Sequence, residues 1–500
     1  MVNLSDLGKP QDFWEYFLQI LEIPRCSRNE EKVRNFIKKE AEKFGFISQI
    51  DEIGNIAVKI PAVNLKSKCV LQCHMDMVCE KNEEVIHDFS KDPLKPKIIE
   101  IDDEKWITAE GTTLGADNGV GICFLLTLMK KIHYNELKFD KLGLDLLFTV
   151  REEYDMGGAK NIDLSLVNGN YLINLDSGHE AITIGCTGAI GFHTKIKKNS
   201  VLIDRGQLNL YPIKLTISGL VGGHSGRCNQ GQAHSINLLS QILWKLNKKY
   251  TIRLNSIDGG GAANAIPREA TSIFFIKEDQ FEEIESYIMK IFKEIKKLFD
   301  GIEMGMNILM DKIKDFSSNE TFSKELQDKL LDLLYIFPNG PIAFHPSIKS
   351  LMFTSTNLGI IRTKEDYIKI RWLHRSLSKY YNNDIYEQVI ALLNLSGLEM
   401  ENKFRGSYPP WAANFNSEFL KIAQETYKGL FNEDLDIKIT HGGLEATILI
   451  DKIPGIEAIA FGATSKGLHS PDERLEIKSV EKTWNFLINL LKKLDSYKRL

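Results

Sequence analysis

The sequence has no apolar run long enough to cross a membrane. Its longest nearly uninterrupted stretch, Val120 to Met129, is about half of the ~20 residues that a helical span needs. It has no excess of one charge. Lys plus Arg number 63 against 67 Asp plus Glu, a net of -4, which excludes a polybasic nucleic-acid binder and an acidic disordered chain. The start, MVNLSDLGKPQDFW, lacks the basic stretch followed by an apolar core that marks a secretory leader. Cysteine is scarce and odd in number, seven in 500 residues, with no repeated spacing. Free thiols in a reducing cytoplasm are therefore expected. What remains is a globular composition, 43% apolar and 26% charged. At roughly 150 residues per domain the length allows about three units, or two large ones.

The chain opens with two helices. Phe13, Trp14, Phe17, Leu18 and Leu21 fall at helical spacing, with Pro24 beyond the end. Ser27 followed by Glu30 reads as a capping box for a second helix that Gly45 stops. Strand and helix patterns then alternate: NIAVKI, KCVLQC, a helix from Asn118 to Lys131, LDLLFTV and YLINLD. That cadence predicts an α/β sheet with parallel strands. Between residues 188 and 403 the pattern changes to two successive α+β stretches, each with strands and covering helices. The α/β cadence resumes after SYPPWAA with DIKITH, EAIAFG and a final helix from Val480. The reading is one α/β domain, 1–187 plus 404–500, interrupted by an insertion, 188–403, built of two similar halves.

Chemistry-bearing residues gather where these strands end. His74 and Asp76 follow KCVLQC, Glu152 and Glu153 follow LDLLFTV, and Asp176 ends YLINLD. Asp117 lies in the Gly-rich turn TTLGADNGVG, and His469 lies in KGLHSPDE after EAIAFG. Ligands of open α/β sheets bind beyond the carboxyl ends of strands. Taken singly, each has a bland alternative: a structural strand-end histidine, a helix cap at Asp117 or Asn118, a solvated glutamate pair. The Gly-rich turn lacks the Gly-Lys-Ser/Thr ending of a phosphate loop. Together the set suits two zinc ions sharing one bridging carboxylate, because three carboxylates and a hydroxide offset four positive charges. Cys69, Cys73 and Cys79 flank His74, but their spacing favours buried strand thiols over ligands.

The motifs HMDMV, GTTLGADNGVG, REE, NLDSG, GLVGGHSG, NAIPREA, HGGLE and GLHSPDE run in order along nearly the whole chain. This series resembles the di-zinc metallopeptidases that include carboxypeptidase G and the aminoacylases. Within that clan, VCEKNEEVIHDFSKDP and the long insertion resemble the aminoacyl-histidine dipeptidases. The resemblance implies a zinc-peptidase-like mixed sheet flanked by helices, with the insertion as an α+β lid. It implies two zinc ions per chain, for which manganese or cobalt can substitute. His74 and Asp176 would bind one ion, Glu153 and His469 the other, and Asp117 would bridge, with a cis peptide to Asn118. Asp76 would orient His74, and Glu152 would be the general base acting on a water between the metals. His224 would stabilise the oxyanion, and Asn264 would touch the oxyanion or the substrate carboxylate. Arg375 would bind the free carboxylate, with Arg362 and Arg371 as further candidates. Glu445 would bind the substrate's amino group or hold the fold. Arg151, before the glutamate pair, and Asp155 depart from the family pattern and bear on the base's working pH.

The expected activity is hydrolysis of dipeptides, Xaa-His and broader. The competing readings are the same fold acting on N-acyl amino acids or tripeptides, and a non-catalytic peptide-binding protein. A small peptide is the expected partner, with neither nucleic acid nor membrane. The resemblance also implies that the insertion can serve as a homodimer contact.

Overall fold

A computed structural model describes residues 2–497 of the chain, which divide into two compact units. The first comprises the residues up to Cys186, Trp411–Ile439 and those from Leu444 onward; the second comprises Thr187–Pro410 and Thr440–Gly443. The return to the first unit therefore falls later than 403. The strand Met400–Tyr408 pairs with Gly188–Lys197, which keeps it in the second unit.

The first unit is built on an eight-stranded mixed sheet. At its centre lie β1 (Ser67–His74), β2 (Leu142–Thr149), β3 (Tyr171–Asn174) and β4 (Glu457–Ala460), in the spatial order β2-β1-β3-β4 and all parallel. All eight residues of β2 are buried, as are the last six of β1. Such strands are covered on both faces, which explains their nearly continuous apolar sequence. The helix Gln11–Leu21 buries Phe13, Trp14, Phe17, Ile20 and Leu21 in this core, each contributing about 1.5–3 kcal/mol. The long helix Ala116–His133 packs beside it and against β1. The antiparallel pair Pro96–Ile101 and Glu104–Ala109 belongs to a separate four-stranded sheet that the sequence patterns did not reveal.

Two local expectations fail here. Ser27 does not cap the second helix, Glu31–Lys43, whose N-cap position is Glu30 and has no side-chain cap bond. The expectation of free thiols fails for Cys26 and Cys79, which form a disulfide across 53 residues. Cys69, Cys73 and Cys123 are free and buried.

The second unit has one nine-stranded antiparallel sheet instead of two small ones. A group of four strands and a group of five, the latter including Gly340–Phe344, meet between Arg253–Gly259 and Met352–Thr363, where Gly259 is registered with Ile361. The halves are not consecutive in sequence either, because Gly188–Lys197, the first strand of the insertion, pairs with Tyr367–Ser376. Trp372 is fully buried there, with ring centroids 5.0 Å from Phe192 and 4.7 Å from Phe337.

Candidate metal centre

The central strands deliver their last residues to one edge of the first unit. His74 is the final residue of β1, Asp176 lies two residues past β3, and Glu152 follows β2 by way of Val150 and Arg151. Arg151 has a left-handed backbone, φ 60°, at the entry to the short helix Glu152–Asp155. Asp117 sits in the first turn of Ala116–His133, preceded by Gly115 at φ 70°, and its bond to Asn118 is cis. His469 also has a left-handed backbone, φ 62°. Such conformations are uncommon for residues with a side chain and cluster at functional sites.

These residues converge. His74 Nε2 lies 2.9 Å from Asp117 Oδ1 and 3.5 Å from Asp176 Oδ1. His469 Nε2 lies 3.4 Å from Asp117 Oδ2 and 3.0 Å from Glu153 Oε1. Two trios result, His74–Asp117–Asp176 and Asp117–Glu153–His469, each with ligand atoms within 4.8 Å of one another. Asp117 belongs to both and turns one oxygen towards each histidine. Glu152 joins His74 and Glu153 in a third such trio.

The electrostatics of the cluster call for cations. Among the described residues, no Lys or Arg forms an ion pair with Asp117, Glu152, Glu153 or Asp176. Burial, then the charge of Glu153, pushes the Glu152 carboxyl well above its ordinary pKa. Burial and Asp117 push Glu153 up to about 7, and the same two causes raise Asp176. Burial pulls the imidazoles the other way, but the surrounding carboxylates outweigh it. His74 is raised well above its ordinary value, and His469 is raised to about 11. Carboxylates that strengthen proton binding at a ring nitrogen strengthen metal binding there too, so protons and metal ions compete for these atoms. Nitrogen and carboxylate donors in this arrangement fit zinc or another divalent transition metal.

Asp76 lies beside His74 and does more besides. Its carboxylate oxygen is 3.5 Å from His74 Nδ1, whereas its backbone carbonyl is 3.1 Å away and takes the closer contact. The carboxylate also accepts hydrogen bonds from Ser27 Oγ (2.6 Å), Glu152 N (3.0 Å) and Glu153 N (3.1 Å). It therefore fixes the turn bearing both glutamates. Ser27 and Glu30 thus serve the site rather than the helix, since Glu30 accepts from Arg28 N and Arg151 N.

Sequence reasoning missed two further supports. Glu473 is 2% exposed and accepts from the backbone N–H groups of Leu114, Gly115 and Asp117. Arg25 is 1% exposed and donates to the carbonyls of Met75, Asp76 and Gly115. Together they hold the Asp117 loop from two sides. Glu473 ends the motif that supplied His469, which was a usable signal; Arg25 had none. The Arg151 guanidinium pairs with Asp155, away from the glutamate pair.

Of the two roles expected for Glu445, its surroundings favour holding the fold. It is completely buried within the first unit, and its carboxylate accepts from Gln72 Nε2 (2.7 Å), the Thr149 hydroxyl and Ala159 N (3.2 Å). Its complete burial and these three bonds favour a supporting role over contact with a substrate amine.

In the second unit, the Arg375 guanidinium donates to Tyr408 Oη (2.7 Å) and contacts His224 Nε2 (3.2 Å). Asn264 precedes Ala265, whose strand partner is His224. His224, Asn264 and Arg375 are thus neighbours. Arg362 is committed elsewhere, donating to the carbonyls of Gly259, Gly260 and Ile361. His441, in HGGLE, bonds Ser355 Oγ through Nε2 (2.7 Å); sequence reasoning had singled out only the glutamate of that motif.

Residues 70–493 match the peptidase family M20/M25/M40. The chain belongs to that family. It is accordingly a hydrolase of the metallopeptidase class. It is 33% identical over 504 residues to the cytosol non-specific dipeptidase of Escherichia coli (strain K12), with 99% of this chain and 100% of that protein covered. Its structure is similar to that of the aminoacylhistidine dipeptidase from Vibrio alginolyticus, with a TM-score of 0.79, 29% identity and 98% of each chain covered. A tripeptidase from Staphylococcus aureus shares the fold, with a TM-score of 0.58 at 16% identity, covering 99% of this chain and 100% of that one.

Proposed function

We propose that this member of the M20/M25/M40 family is a two-metal dipeptidase, cleaving Xaa-His and a broader range of dipeptides. The observation that carries the reading is the pair of ligand trios sharing Asp117. The proposed metal is zinc, with His74 and Asp176 on one ion, Glu153 and His469 on the other and Asp117 on both. The substrate class is carried over from the two dipeptidases that resemble this chain over nearly its full length.

A pair of divalent ions would polarise the scissile carbonyl and make water acidic enough to serve as a nucleophile near neutral pH. The remaining work falls to the chain's own groups. Glu152 holds and moves the proton. Burial and its neighbour Glu153 strengthen its hold on a proton, so its carboxylate takes one from the attacking water and delivers it to the departing amine. Asp76 keeps that carboxylate in place through the amides of residues 152 and 153. We assign oxyanion and substrate contacts to His224 and Asn264, and the free carboxylate to Arg375, whose planar donors suit a bidentate anion. A cytoplasmic location and a homodimer formed through the second unit belong to the same proposal. The Cys26–Cys79 disulfide would then face a reducing environment.

Metal analysis combined with a peptide panel tests the reading. About two metals per chain and turnover of dipeptides are expected. Cleavage of N-acyl amino acids or tripeptides alone would overturn the dipeptide assignment. Glu152→Gln is expected to retain the metals and lose about two to four orders of magnitude in kcat. Full activity in that variant would remove Glu152 from its role.

A further inference from the structure

The strands that carry the metal-site residues share a polar layer directly beneath them. Gln72, Thr149 and Asn174 lie on β1, β2 and β3, two residues before His74, three before Glu152 and two before Asp176. All three are completely buried, as is Glu445. Interior parallel strands are ordinarily apolar on both faces, so four polar side chains at this depth call for a reason.

They form one unbroken chain of hydrogen bonds. Glu445 Oε2 accepts from the Thr149 hydroxyl on β2 and from Gln72 Nε2 on β1 (2.7 Å). Gln72 Oε1 accepts from Asn174 Nδ2 on β3 (2.5 Å). Asn174 Oδ1 accepts from the backbone N–H of Asp176 (3.2 Å). At the other end, Glu445 Oε1 accepts from Ala159 N, in the short helix Gly157–Lys160 after the glutamate pair. The chain crosses the sheet from the segment that follows Glu153 to the backbone of Asp176. No positive side chain neutralises Glu445 among its hydrogen-bond partners, and burial pushes its carboxyl up to about 7. An apolar layer of the same shape would avoid that cost and could be as stable or more so. What apolar packing cannot supply is a directional lock between adjacent strand ends.

We infer that Glu445, Gln72, Thr149 and Asn174 are positioning residues that set the spacing of His74, the Glu152–Glu153 pair and Asp176 for the two metal ions. The inference rests on the two-metal reading above. Residues that orient metal ligands in this way typically affect metal affinity by about 10–100-fold when replaced.

The test uses the purified full-length protein and compares wild type, Thr149→Val, Glu445→Gln and the exchange Gln72→Glu/Glu445→Gln. Zinc affinity is read by competition with a chromogenic chelator, cobalt geometry by its visible spectrum, and the stability of the metal-free protein by urea unfolding. Thr149→Val keeps the side-chain shape and removes the hydroxyl. Both single variants are expected to bind zinc about 10–100-fold more weakly and to alter the cobalt spectrum. The exchange restores a carboxylate–amide pair in the opposite sense, and affinity is expected to recover to within about 5-fold of wild type. If the single variants keep wild-type zinc affinity and cobalt spectrum while only urea stability changes, the layer is merely structural and the inference falls. Failure of the exchange to recover while Thr149→Val binds normally would also overturn it. Wild type distinguishes the two levels of argument. Failure to take up about two metals would sink the functional reading, whereas normal wild-type uptake with indifferent variants would sink only this inference.

Discussion

Replacing Asp76 by alanine removes the single acceptor that Ser27 and the amides of Glu152 and Glu153 share. Asp76 is completely buried, so water does not take its place at no cost. The Ser27 hydroxyl can rotate towards another acceptor, but the two amides are fixed by the turn. An unsatisfied buried donor costs about 1–3 kcal/mol, so the two together predict a loss of about 2–6 kcal/mol. Asparagine should cost less. It keeps one acceptor oxygen, the serine hydroxyl can reverse and accept from the new amide, and the main losses are the charge and one of the two amide bonds. The expected order of stability is wild type, then Asp76→Asn, then Asp76→Ala. Zinc affinity should follow the same order, with about 10–100-fold lost in the alanine variant. Urea unfolding of the metal-free proteins and chelator competition measure the two effects. Equal stability and zinc affinity in Asp76→Ala and wild type would refute the assignment of this carboxylate as the support of the glutamate turn.

The second unit contains buried histidines whose titration should make it sensitive to acid. Burial lowers His234 to about 4 and His374 to about 3, and burial followed by the charge of Arg375 lowers His441 to about 3. Unfolded, each would take a proton near pH 6.5. Between these values the unfolded chain binds more protons, so stability rises with pH and is lost as pH falls below about 6.5. At pH 5 each histidine is expected to cost about 2 kcal/mol, and His374→Gln should flatten the urea-midpoint profile between pH 7 and 5; an unchanged profile would exclude His374 as a contributor. Reducing Cys26–Cys79 reopens a loop closed across 53 residues and should lower stability by about 4 kcal/mol on the chain-entropy account. Coincident urea curves with and without a dithiol would contradict that contribution. Gly158→Ala would put a Cβ 2.5 Å from both Val150 O and Asn55 Oδ1. Backbone cannot yield cheaply, so a loss of about 1–3 kcal/mol is expected. Wild-type thermal stability in that variant would show that the turn after Glu153 is more pliant than its packing indicates.

The elements that were legible in the sequence are those with strong local causes. Gln11–Leu21 carries an apolar stripe at helical spacing and a clear end. β1 and β2 are short apolar runs followed at once by charged residues, and that abrupt change also exposed His74, Asp76, Glu152 and Glu153 as candidates. Ser27 and Glu30 show how a local rule misleads. Their spacing satisfies a capping box, but Asp76, 49 residues on, is the acceptor that Ser27 finds, and Glu30 turns to residue 151. At Glu445 the sequence left two roles open; its partners Gln72 and Thr149, which favour holding the fold, lie about 300 residues or more earlier and enclose it completely.

The sequence by itself determined which side chains could hold metals and that each stands near a strand end or in a tight turn, because both strand periodicity and turn chemistry are local. Tertiary structure alone decided that Asp117 faces both histidines, that Arg25 and Glu473 grip its loop, that Cys26 meets Cys79, and that the insertion forms one sheet. Each of those depends on backbone segments far apart in sequence arriving within a few ångströms, and no spacing along the chain records where another segment will pack.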